Sequence, residues 1–259
     1  MRLIRLAISA HLRTQWSSQF NFWSGVLGML VNNFMILVGV WAMLFAGKEQ
    51  FLQERNNFFI MNFVLMFSWG VLHVFFGGIT NLDQQIHKGF LDISLTHPRS
   101  PLLSMALTQS YLPAWGDVIL GGVGLAVFAY QLGWMFFIGA LIMTISSFVA
   151  LFAIYVLIGS LAFWFRRTET AYSMLVNMFL AFNTYPVIDG SVLSLRWTTF
   201  LIPLLLIGAI PSTYLQQPSV EVFLIEVVGS ILLVLISYGV FRMGLLRYKS
   251  TAGIQFERS

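Results

Sequence analysis

From Trp134 to Phe165 the chain carries no charged residue. A helix needs about 20 apolar residues to cross the hydrocarbon of a bilayer, so this run alone is long enough. Similar runs recur along the 259 residues, and only 9% of the chain is charged while 58% is hydrophobic. A water-soluble domain needs roughly 25% charged residues to cover its surface. The sequence therefore predicts an all-α integral membrane protein that crosses the bilayer several times. With no cysteine, a disulfide framework and thiolate metal or redox sites are excluded. The net charge of +4 encodes orientation in such a chain rather than nucleic-acid affinity.

Six spans are predicted, at 22–46, 58–78, 102–130, 134–165, 171–188 and 220–240. The first stretch, 1–20, is interrupted by Arg2, Arg5, His11 and Arg13, unlike a secretory leader. At about 100° per residue its arginines share one face, with Leu3, Ile4, Ile8 and Leu12 opposite. That pattern predicts a basic amphipathic helix lying on the membrane surface. Between the last two spans, 189–219 is apolar but broken by Pro203, Gly208 and Pro211. Its uninterrupted pieces are too short to cross, so a re-entrant helical pair is expected, covered by protein because bare backbone is not tolerated in lipid. Basic residues set the orientation. With both termini cytoplasmic, only Lys48, Arg55 and Arg196 of the 14 Lys and Arg fall outside, as the positive-inside rule requires. A seventh span would move the C-terminal basic residues outside and lose that bias.

Catalytic motifs are absent. The chain has no G-x-x-x-x-G-K-[ST] phosphate loop, no H-E-x-x-H and no G-x-S-x-G, so it is not expected to be an enzyme or to hold a cofactor or metal. Two intramembrane carboxyls stand out as candidate pathway residues. Asp117 fits either a substrate path or a packing and capping role behind Pro113. Glu226 fits either a cavity or a place near a helix N-terminus, where the dipole favours an anion. His73 reads as a hydrogen-bonded packing residue, and Gly121, Gly122 and Gly124 as a close helix-packing surface.

The stretch 83–97 departs from its apolar surroundings. Within "IHKGFLDISLTHPRSPLL", Ile86, Phe90, Ile93 and Leu91 suggest one apolar face, with His87, Lys88 and Asp92 turned elsewhere. His97-Pro98 closes the helix, since the residue before proline avoids the α region. Such a sharply ended amphipathic helix on the cytoplasmic side suits docking better than it suits a plain linker.

The segment "GFLDISLTHPRSPLL" resembles the G-x-L-D-x-x-L-x-x-P pattern of permease subunits in bacterial type-two ABC exporters. The rest of the layout is similar in order, including the interfacial helix, the re-entrant pair and the basic tail "GLLRYKSTAG". His97 stands where arginine is more usual, so no salt bridge is carried over to that position. The resemblance implies a permease subunit of about 260 residues in a bacterial inner membrane. It implies a separate ABC ATP-binding subunit, holding ATP and Mg, that presses on a coupling helix comprising Gln84, Ile86, His87, Lys88, Phe90, Leu91, Asp92 and Leu95. A second permease, identical or similar, would complete the pathway. Arg5 and Arg13 would brace the docking surface, and Arg196, Pro203 and Pro211 would belong to the outer gate. A lipophilic or cationic small molecule, such as a drug or dye, is the expected cargo. A self-contained ion-coupled transporter using Asp117 and Glu226 is the competing expectation, and a scaffold without transport is a third.

Overall fold

The computed structural model describes residues 19–45, 52–96, 100–165, 168, 174 and 203–248. Among these, five helical stretches are long and apolar enough to cross a membrane. Helix α1 (Gln19–Phe45) and helix α2 (Leu52–Phe76) form the first pair. A 3-10 turn (Gly77–Asn81) leads to three short helices, α3 (Leu82–His87), α4 (Phe90–Leu95) and α5 (Pro101–Ala106). Helix α6 (Trp115–Leu132) follows a 3-10 turn at Leu112–Ala114. Helix α7 (Trp134–Ser160) ends in another, Leu161–Phe163. After a 3-10 stretch at Pro203–Ile207 come α8 (Ala209–Gln216) and α9 (Val220–Arg247). The expected span at 171–188 lies outside the described residues apart from Met174, as does the interfacial helix carrying Arg2, Arg5 and Arg13.

Helices α2 and α7 are the most enclosed, and α1 is the least. The main core joins α2, α3, α4, α7, α9 and the Pro203–Ile210 stretch through residues such as Leu72, Leu91, Leu151, Leu206 and Phe241. In a bilayer the gain in helix association comes from close packing rather than from expelling water. Small residues let it happen here. An added Cβ at Gly121 on α6 would lie 2.6 Å from the Phe67 nitrogen on α2, and one at Gly70 on α2 would lie 2.7 Å from the Val118 nitrogen on α6. The two glycines thus bring the α2 and α6 backbones into direct contact.

Two boundaries differ from the sequence reading. The expectation of one span over 102–130 gives way to α5, a turn, and a span that starts at Leu112. The polar run Thr108-Gln109-Ser110 causes the break. Thr108 Oγ1 donates to the Met105 carbonyl at 2.8 Å and Ser110 Oγ to the Val74 carbonyl at 2.6 Å. Such bonds compete with helix propagation, and Pro113 then occupies the first helical turn, where its missing N–H costs nothing. At the other end, α9 continues past 240 to Arg247. Arg242 lies over the Tyr238 ring, 5.8 Å from its centroid, so a charge that marks the end of a hydropathy window does not end the helix.

The α2–α6 contact yields a paired test. Gly121→Ala is expected to cost about 1–3 kcal/mol by overpacking, read as a lower melting temperature in detergent. Gly39→Ala, where a Cβ meets nothing within 4 Å, is expected to leave it unchanged or slightly raised.

Candidate functional site

The residues between α2 and α6 are polar, short-helical and held by specific bonds. Gln85 is buried and its Nε2 donates to the Gly78 carbonyl at 2.6 Å and to the Met105 carbonyl at 3.3 Å. One side chain thereby ties the 3-10 turn to α5. Asn81 Nδ2 donates to Gln109 Oε1 at 2.9 Å. Asp83 is buried and accepts from Thr168 Oγ1 at 2.8 Å. Leu82 sits against Gly159 of α7.

The expected single helix over 83–97 is two helices. Gly89 adopts φ 79°, a left-handed conformation that glycine takes without steric cost. This turn resets the phase between α3 and α4. Ile86 and Leu91 therefore point into the core, 3% and 0% exposed, whereas Phe90, Ile93 and Leu95 are 48%, 60% and 49% exposed. The face proposed from the sequence is split into an anchoring set and an outward set. Gln84, His87 and Lys88 are exposed beside it, with Lys88 Nζ donating to Gln84 Oε1 at 3.2 Å. Asp92 lies half-buried in the first turn of α4. His97 and Pro98 lie outside the described residues.

The two intramembrane carboxyls occupy different seams. Asp117, in the first turn of α6, accepts from Asn33 Nδ2 on α1, and both side chains are buried. Glu226 is fully buried on α9, and Ser230 Oγ donates to its Oε1 at 3.5 Å. Ser146 on α7 in turn donates to Ser230 Oγ at 3.0 Å. The structure does not bring Asp117 and Glu226 together. Asn33, Ser146 and Ser230 were not singled out from the sequence. Asn33 carried a signal, because an amide in a spanning helix has to find a partner. The serines carried none, since a lone hydroxyl can return to its own helix backbone. His73 is packed and bonded, stacked on Trp69 with centroids 4.6 Å apart and donating through Nδ1 to the Trp69 carbonyl at 2.9 Å.

Pro203 opens its 3-10 stretch and Pro211 lies in the first turn of α8, where a missing N–H is tolerated. Residues 204–212 are buried, and Leu206 reaches α9 at Gly229. Arg196 lies outside the described residues. No group of three His, Asp or Glu that could hold a metal occurs among the described residues.

Several long apolar helices, seams closed by glycine and hydroxyl groups, and one polar-anchored segment at a helix end define a multi-pass α-helical membrane protein. Residues 49–252 match the family model for ABC-2 family transporter protein, and the chain belongs to that family. Its members are membrane permease subunits, generally non-catalytic, and the family implies partnership with an ABC ATP-binding subunit. No curated protein and no solved structure matches the chain.

The α1–α6 seam gives a second prediction. Asn33→Ala leaves the Asp117 carboxyl without its partner and is expected to cost about 1–3 kcal/mol. The double change Asn33→Leu with Asp117→Leu removes both polar groups and should recover most of that loss. Melting of the two variants and the native chain in detergent checks it, and equal losses in the single and double variants would contradict the pairing.

Proposed function

We propose that this chain is one permease of an ATP-driven export complex in a bacterial inner membrane, with both termini cytoplasmic. Its ABC ATP-binding subunit, which holds ATP and Mg, docks on α3 and α4. A second permease of the same type, identical or similar, completes the pathway. The observation that carries this reading is the outward row Phe90, Ile93 and Leu95 on a segment whose other apolar residues are buried. The row sits among exposed Gln84, His87 and Lys88, at the end of α2 that the charge bias assigns to the cytoplasm. An outward apolar row on a segment fixed to the bundle by buried polar bonds is the kind of surface that a protein partner covers.

ATP-driven closure of the partner would press on this segment and rearrange the spans. A lipophilic or cationic small molecule would then move outward, past an outer segment that includes Pro203 and Pro211 and, in the same stretch, Arg196. The basic helix around Arg2, Arg5 and Arg13 would brace the docking face. The ion-coupled alternative requires Asp117 and Glu226 to converge, and their separate seams give it no support.

Co-purification tests the docking. The tagged native chain is expected to retain an ATP-binding subunit. Phe90→Asp with Ile93→Asp should weaken that retention by roughly 30-fold, corresponding to loss of about 2 kcal/mol from a central apolar anchor. Leu91→Asp is the folding control, because a charge there enters the core and should reduce yield of the chain itself. Full retention by the Phe90/Ile93 variant, or a native chain that purifies alone and still transports without ATP, would overturn the reading.

A further inference from the structure

We propose that Asp83 is a positioning residue that latches the docking segment onto the end of α7, so that a push on α3 and α4 enters the bundle through α7. The inference rests on the docking reading above and goes beyond it by assigning the route of the force. In the chain the segment joins α2 to α6, and a push on it would be expected to move those two. Its packing adds a third member, α7.

Leu82 and Asp83 are consecutive, and both face the α7 end of the bundle. An added Cβ at Gly159 would lie 2.6 Å from the Leu82 Cβ, so α3 touches the α7 backbone with nothing between them. One residue on, the buried Asp83 carboxylate takes the Thr168 hydroxyl at 2.8 Å, just beyond the 3-10 turn that ends α7. Burying a carboxylate costs free energy unless it is bonded, and a passive contact between loop and helix does not require one. The adjacent cavity, lined in part by Thr80, Asp83, Tyr155 and Thr168, measures about 10 Å³. That is room for one water at most, so the contact is closed and is not a ligand site.

Beyond the latch, α7 is geared to α9. Gly244 of α9 receives the Phe163 ring, Phe163 and Phe241 lie 5.7 Å apart, and Ser146 bonds Ser230 near the middle of the bundle. The outer Pro203–Ile207 stretch packs on both helices. A load entering at Asp83 therefore has a continuous packed route along α7 and α9 to the outer side. Helix α1 instead packs on α6 and its preceding turn.

The chain has no cysteine, so spin-label pairs can be placed in an otherwise native background. Labels at His87→Cys and Phe165→Cys, in lipid nanodiscs, report whether α3 and the α7 end are locked. A narrow distance distribution is expected for the native chain and for Thr168→Ser and Asp83→Asn, which keep a donor and an acceptor. Asp83→Ala and Thr168→Val should each widen it to about twice that width, and their combination no further than either alone, as for two members of one contact. Native width in both single variants overturns the latch. Trapping the native complex with ATP and vanadate should leave the 87–165 distance unchanged, and a shift on trapping would overturn the route through α7. If no ATP-binding subunit accompanies even the native chain, the docking reading fails, while the widths still decide the latch.

Discussion

Hydrocarbon offers no hydrogen bonds, so each polar side chain inside a bilayer protein has to find its partner within the fold. In this chain such bonds cross two of the helix seams. Asn33 and Asp117 join α1 to α6, and the Glu226, Ser230 and Ser146 chain joins α9 to α7. Beyond the end of α2, Gln85 and Asp83 do the same for the α3–α4 segment. Between these bonds the helices meet through glycine, because close backbone approach is what holds helices together where water is absent. The Gly70 and Gly121 contacts between α2 and α6 are of this kind.

The proposed docking segment, α3 and α4, combines both devices with an outward apolar row. Its polar bonds fix where α3 and α4 sit, and Gly89 sets their relative rotation. The result places Ile86 and Leu91 in the core and leaves Phe90, Ile93 and Leu95 outside. Rigidity below and apolar surface above suit an element that receives force from a partner, since a loosely held segment would absorb the motion instead. The family assignment implies such a partner. On the latch proposed above, the load would enter through α7, a central helix, against whose Gly159 the Leu82 side chain packs.

Much of this was legible from residues alone, for identifiable reasons. Long apolar runs carry a strong periodicity-free signal, which is why α1, α2, α7 and α9 overlap the ranges expected for them, although α2 starts at Leu52 and α9 runs on to Arg247. The α6 boundary was not legible from hydropathy, because Leu102, Leu103 and Leu107 read as membrane while Thr108 and Ser110 turn the chain through bonds to the Met105 and Val74 carbonyls. The face of the docking segment was misassigned by treating 83–97 as one continuous helix. The Lys88-Gly89 pair was the available sign of a break, since glycine commonly follows a helix end. Asp117 was recognisable as a costly residue, yet its choice of Asn33 depends on how far α6 starts into the bundle. Thr168 gave no signal at all, because its role arises only from its place beside Asp83 in the fold.

The central claim, that α4 presents its outward row to an ATP-binding subunit, is tested most directly by site-specific photocrosslinking in intact cells. Phe90 replaced by p-benzoylphenylalanine should give one dominant adduct, whose partner is an ABC ATP-binding subunit, and the same replacement at the exposed Leu132 should give none with it. Adducts at position 90 only with lipid or with unrelated membrane proteins would contradict the account.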